Sequence, residues 1–161
     1  MSIPLRDNSV DIIVCAQAFH WFANTAALDE MRRVLKAGGM LGLIWNVRDA
    51  SVDWVNGLTK LIAPYEGDAP RYDHGEWRTL FPAEGFSPLV ERRMPHGHTG
   101  PPEQVIVDRI ASISFIAALE DTERQRLLTR VRELIASAPA LAGRSEVTFP
   151  YVTMAYHCAR L

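Results

Sequence analysis

Cysteine is scarce in this sequence: 161 residues contain two, Cys15 and Cys158. Cys15 lies inside an apolar run and Cys158 in the mostly apolar segment 147–158. Both therefore read as buried thiols of a reducing compartment, which makes the cytoplasm the expected location. An excess of charge of one sign is also missing. Lys plus Arg is 17 and Asp plus Glu is 19, for a net charge of −2. No segment is strongly basic, so no nucleic-acid partner is expected. Long apolar runs are absent. Runs such as residues 12–16 and 41–45 fall far short of the ~20 residues of a membrane helix, so no membrane partner is expected either. The first seven residues show no basic stretch followed by an apolar one and do not read as a signal peptide. The chemical signatures are sparse too. No G-x-G-x-x-G follows a strand, and there is no phosphate-cradling loop, no G-x-S-x-G elbow, no His-Glu-x-x-His and no metal-spaced cysteine pair.

What is present is an ordinary globular composition, 48% hydrophobic and 22% charged. The length suits a single domain over residues 1–161, able to bury roughly 70% of its unfolded surface without disulfide or metal support. Residues 10–16, VDIIVCA, form a short β-branched run after the turn residues Asp7-Asn8-Ser9. Almost every position is apolar, as in a strand buried on both faces of a parallel sheet. Residues 25–36 carry Ala27, Leu28, Met31, Val34 and Leu35 on one helical face. Asn24 or Thr25 is the N-cap, and Gly38-Gly39 is the stop. Residues 40–45 are a second apolar strand. Strand, helix and strand make a right-handed crossover unit of an α/β sheet.

A helical insertion follows at about residues 50–82, with a helix over 52–62 stopped by Pro64 and one turn near 76–81 before Pro82. Residues 86–94 read as a strand, and residues 96–102 as a break rich in Gly and Pro. Pro102 opens a helix that runs on, kinked, through Phe115 and Ile116. Residues 122–138 are the clearest helix, with Thr122 and Gln125 placed as a capping box and Leu127, Leu128, Val131, Leu134 and Ile135 as its stripe. Residues 147–158 form the last strand, with Pro150 marking a bulge or a late start.

The most informative segment is residues 16–22, Ala-Gln-Ala-Phe-His-Trp-Phe. It lies at the carboxyl end of the first strand, where open α/β sheets bind ligands. Phe19, Trp21 and Phe22 suit an apolar wall, and His20 suits a base, a hydrogen-bond donor or an orienting group. The same residues also suit plain packing beneath the next helix, and both readings stand on sequence alone. Asn46 and Arg48 end the second strand on the same edge and suit contact with a polar or carboxylate substrate, or ordinary loop polarity. His96-Gly97-His98 reads as two solvated loop histidines. With no third ligand nearby in sequence, no metal site is expected.

Three spaced elements carry a family resemblance. They are residues 3–11 (IPLRDNSVD), residues 16–22, and residues 33–41 (RVLKAGGML). In order and separation they resemble class I S-adenosylmethionine-dependent methyltransferases of the type 11 group. Residues 111–116 and 150–153 also look like that family's bacterial members. The resemblance implies a Rossmann-like sheet of order 3-2-1-4-5-7-6 with an antiparallel seventh strand. This chain would supply the C-terminal portion, four strands in the order 4-5-7-6 with flanking helices. The family's glycine-rich cofactor loop and its two acidic cofactor contacts would precede it. By resemblance, Ala16, Gln17 and Ala18 would border the cofactor. Phe19, Trp21, Asn46 and Arg48 would face the substrate, and His20 would be the catalytic residue.

The function implied is methyl transfer to an unidentified small-molecule nucleophile, with weak or no S-adenosylmethionine binding and no activity expected of these 161 residues alone. A different class of function also fits, a non-catalytic methyltransferase-like remnant acting as an assembly or binding module. The strand at residues 10–16 is central in the whole family domain and becomes an edge here. Its partner would be a second copy of the chain or a separate N-terminal half.

Overall fold

The computed structural model describes residues 2–68 and 70–161. Its elements are β1 (Val10–Ala16), α1 (Thr25–Val34), β2 (Leu35–Arg48), α2 (Asp53–Ile62), β3 (Val90–Gly100), α3 (Arg109–Ala111), α4 (Ser114–Ala117), α5 (Asp121–Ser137) and β4 (Val147–Ala159). The strands form one sheet in the order β1-β2-β4-β3. This is the expected 4-5-7-6 order. β1 and β2 run parallel, with Ile12 opposite Met40 and Ala16 opposite Ile44. β4 is antiparallel to β2: Gly38 and Gly39 exchange backbone hydrogen bonds with Arg160, while Asp49 N–H donates to Pro150 far along the strand. The fold is therefore an α/β arrangement with an open sheet and helices.

The chain forms two compact units. The first comprises Met1–Asn46, Pro70–Met94 and Thr153–Leu161. Its core gathers Leu28, Met31 and Val34 of α1 with Leu41, Leu43 and Trp45 of β2, all buried. Asn24 caps α1, its Oδ1 accepting from Ala27 N–H at 2.8 Å. At the other end of α1, Arg33 donates to Glu30, to Asp7 and to the carbonyls of Ile3 and Leu5. That fan of charge-assisted bonds ties the first residues to the helix and holds the Glu30 carboxyl down at about 2, chiefly through the Arg33 hydrogen bonds.

The second unit comprises Val47–Ala69 and Pro95–Val152. Its core joins Val55, Leu58 and Ile62 of α2 to Leu127 and Val131 of α5, with Trp54 edge-on to Phe149 at 5.1 Å. α2 and α5 pack closely, since a Cβ at Gly57 would lie 3.3 Å from Leu134.

Several sequence expectations need correction. β1 is not buried on both faces: Ile12 is 63% exposed and Val14 56%, and only Cys15 is buried. Among the described residues β1 stands at the end of the sheet and pairs only with β2. α1 ends at Val34 rather than at Lys36, and Gly38-Gly39 lies inside β2. The register explains why. It passes from Val10↔Leu35 to Ile12↔Met40, so two steps on β1 match five on β2. Gly38 absorbs the extra length at φ 74, and Gly39 lets Asp11 approach, where a Cβ would sit 3.0 Å from the Asp11 carbonyl oxygen.

β3 begins at Val90 and runs through His96, Gly97 and His98, which were expected in a break. As the outer strand it tolerates Pro95 without losing a central ladder bond. Gly97 makes room for Thr148, whose Cγ2 would lie 2.6 Å from an added Cβ. The single kinked helix from Pro102 is three short pieces. A π-helical segment, Glu103–Asp108, buries three successive residues, Val105, Ile106 and Val107, and α3 and α4 follow. The capping box does not form. α5 starts at Asp121, which places Thr122 inside the first turn, and no side chain caps the helix. Pro150 lies within a continuous β4. Cys15 and Cys158 are free, buried thiols, and burial pushes Cys158 up to about 11. Among the described residues no helix is long and apolar enough to cross a membrane.

Candidate functional site

The site is built where β1 ends against β2. Ala16 is opposite Ile44, and Gln17 N–H continues the ladder to the Ile44 carbonyl at 2.8 Å. Gln17 then turns the chain at φ 56, a left-handed conformation that costs a non-glycine residue about 1–2 kcal/mol. The turn sends residues 19–21 into one 3-10 turn, Phe19–Trp21. Phe19 is fully buried, edge-on to Phe22 at 5.7 Å. Trp21 is 52% exposed, and His20 lies between the two at intermediate depth.

His20 is fixed by β2. Trp45 Nε1–H donates to His20 Nδ1 at 3.0 Å. Trp45 is itself held by rings: it stacks on Trp77 at 4.7 Å, contacts Tyr72 at 5.0 Å and meets Tyr156 edge-on at 5.9 Å. The Tyr72 and Tyr156 hydroxyls share a 2.7 Å hydrogen bond. Arg78 donates to Tyr156, lies over the Tyr156 and Trp77 rings, and pairs with Glu91. Burial, followed by the bond to Tyr156, pushes the Tyr72 hydroxyl well above the ordinary tyrosine range. On the outer side, the Arg71 guanidinium lies 6.0 Å from the Trp21 ring centroid. Burial, then the charge of Arg71, lowers the His20 pKa from its usual 6.5, while Asp73 opposes the shift.

Asn46, the next residue of β2, is exposed beside this group. Its carbonyl lies 3.5 Å from Gln17 Nε2, and its Oδ1 accepts from Thr153 Oγ1 at 2.8 Å. Gln17, His20, Trp21 and Asn46 thus share the first unit. Arg48 belongs to the second unit, where Glu66 lies 3.8 Å from its guanidinium. Ala18 precedes the 3-10 turn, and its carbonyl accepts from Trp21 N–H. Sequence reasoning missed Tyr72, Trp77, Arg78 and Thr153. Trp77 and Tyr156 were visible only as isolated aromatics, and no local pattern linked them to Trp45. His96 and His98 are exposed on β3, and no group of three metal-ligating side chains occurs among the described residues.

A family model described as a methyltransferase domain matches residues 1–43. An uncharacterized methyltransferase-like protein of Schizosaccharomyces pombe is 38% identical over 156 residues, covering 97% of this chain and 60% of that protein. An uncharacterized methyltransferase of Mycobacterium tuberculosis (strain H37Rv) is 40% identical over 152 residues, covering 94% and 59%. The chain thus spans about 60% of the length of these curated relatives. Among solved structures, one described as a type II methyltransferase from Anaeromyxobacter dehalogenans matches with a TM-score of 0.64 at 23% identity, covering 97% of this chain and 66% of that one. A methyltransferase structure from Anabaena variabilis gives 0.55 at 15% identity, covering 96% and 69%. These structural likenesses establish the fold.

Proposed function

We propose that the chain, which matches a methyltransferase-domain model over residues 1–43 and methyltransferase relatives at 38–40% identity, forms the substrate-side portion of a class I S-adenosylmethionine-dependent methyltransferase domain acting on a small-molecule nucleophile. The observation that carries this reading is that Gln17 and His20, just past the carboxyl end of β1, are bonded to the consecutive residues Asn46 and Trp45 of the parallel strand β2. Open α/β sheets bind ligands at that edge.

The residues present fit one wall of a cofactor site. Ala16, Gln17 and Ala18 offer a left-handed turn and an exposed amide side chain that reaches the Asn46 carbonyl at the end of β1. They do not make a whole site. Residues 17–22 contain neither a glycine nor a carboxylate, and no glycine-rich turn follows any strand here. What they can do is orient the acceptor and exclude water, which is most of what methyl transfer asks of a protein. Phe19 supports the turn from below, while Trp21 and Asn46 supply apolar and polar surface toward a substrate.

The exposed edge of β1 favours a second reading beside the first, a module that binds another chain. Ile12 and Val14 carry apolar surface next to unpaired backbone, which invites strand addition. A second copy pairing Val10–Ala16 antiparallel would satisfy that edge, as would a separate N-terminal half of the domain.

Transfer of labelled methyl from S-adenosylmethionine into a small-molecule extract tests the first reading. The chain joined to the N-terminal portion of the mycobacterial relative is expected to transfer label, and the 161 residues alone to transfer none. A joined chain that folds and binds S-adenosylmethionine yet labels nothing would favour the module.

A further inference from the structure

The His20 imidazole has two nitrogens with different duties. Nδ1 accepts the Trp45 indole N–H at 3.0 Å. Trp45 cannot withdraw that donor at low cost. It is 1% exposed, and a buried indole N–H left without an acceptor loses its water partners with nothing in exchange. Nor can the ring swing elsewhere, since Trp77 stacks on it at 4.7 Å, with Tyr72 and Tyr156 against its other sides. A neutral imidazole whose Nδ1 accepts carries its proton on Nε2. His20 makes no hydrogen bond through Nε2 among the described residues, and its ring is only partly buried.

We propose that His20 serves the methyl acceptor as a hydrogen-bond donor through Nε2–H, with Trp45 as the positioning residue that fixes its tautomer. The proposal rests on the methyltransferase reading above and names the part His20 plays in it. It sets aside the base role. To act as a base from this tautomer, His20 would take a proton on Nδ1, where the indole N–H already sits. Two donors would then face each other in a buried place. The lowered His20 pKa, from burial and Arg71, agrees with a ring that stays neutral near pH 7. The ligand chemistry implied is an oxygen or nitrogen lone pair on the substrate, held at the carboxyl end of β1 beside Trp21 and Asn46. The methyl-accepting atom must reach the site already nucleophilic, because His20 does not ionise it.

Nitrogen-15 NMR of the imidazoles in the 161-residue chain at pH 7.5 decides the tautomer without cofactor or turnover. Expected is His20 with a protonated Nε2 and a bare Nδ1, shifting toward a tautomer mixture in Trp45→Phe. A proton on Nδ1 in the unmodified chain overturns the inference and leaves the methyltransferase reading standing. A kinetic arm uses the methyl-transferring form. Gln keeps an N–H donor and cannot act as a base. His20→Gln is expected to retain transfer within about tenfold, with the change in KM and an unchanged pH profile, as for one altered hydrogen bond. Loss of ~10²–10⁴ in kcat together with the acid limb of the profile is the signature of a general base and would overturn the proposal.

Discussion

Trp45 Nε1 donates to His20 Nδ1 across 3.0 Å, tying the buried face of β2 to the turn that follows β1. Every ring around Trp45 serves to hold that donor in place, and the shape of the site's histidine follows from it.

Trp45→Phe removes the donor and part of the ring stack. The lost hydrogen bond and the cavity together are expected to destabilise the fold by about 1–3 kcal/mol. Urea unfolding followed by far-UV circular dichroism measures this, and an unchanged midpoint would contradict the role given to Trp45.

Acid should weaken the same joint. The folded His20 pKa lies below its ordinary 6.5, so between the two values the unfolded chain binds a proton that the folded chain refuses. The contribution is fully present above 6.5 and is lost as pH falls through the folded value. Urea midpoints at pH 7.5, 6.5 and 5.5 should therefore fall more steeply for the unmodified chain than for His20→Gln. Parallel slopes would place His20 outside the buried network.

The two glycines of the β2 bulge should differ from their neighbours in tolerance. Gly39→Ala puts a Cβ 2.9 Å from the Lys36 carbonyl oxygen and 3.0 Å from that of Asp11, both backbone atoms. A cost on the order of 1–3 kcal/mol is expected from overpacking. Gly38→Ala meets no atom within 4 Å but must hold φ 74, for about 1–2 kcal/mol. Alanine at Gly42, where an added Cβ comes no nearer than 3.7 Å to Val14, is the control and should change little. Thermal melts of the three variants give the order.

The β1 edge is expected to associate. Ile12→Lys places a charge on the exposed apolar face without touching the buried Cys15. Sedimentation velocity at tens of micromolar should show a dimer for the unmodified chain and a shift toward monomer in Ile12→Lys. An unmodified chain that stays a single monomer would refute pairing through this strand.

The architecture was legible where local pattern and tertiary demand coincide. The β-branched run of β1, the apolar stripe of α1 and the stop at Pro64 each declare themselves, and the strand order followed from the family resemblance. Burial was not legible for β1, because whether Ile12 and Val14 are covered depends on a neighbouring strand, not on their own composition. β3 was cut short because Pro95 and Gly97 look like breakers, while an outer strand facing Thr148 accommodates both. In the site, His20 and Asn46 stood out because they directly follow apolar strands. Their partners did not. Trp45 reaches His20 over 25 residues and Thr153 reaches Asn46 over 107, distances at which no sequence period operates.

The measurement that bears most directly on the central claim is calorimetric titration of S-adenosylmethionine into two proteins, the 161-residue chain and the same chain joined to the N-terminal portion of its mycobacterial relative. Each charge-assisted hydrogen bond that these residues do not supply is worth about 1.5–3 kcal/mol, so several remove most of a micromolar affinity. The account predicts no saturable binding to the 161 residues and a dissociation constant in the micromolar range for the joined chain. Low-micromolar binding by the 161 residues alone would contradict it, as would a folded joined chain that binds nothing.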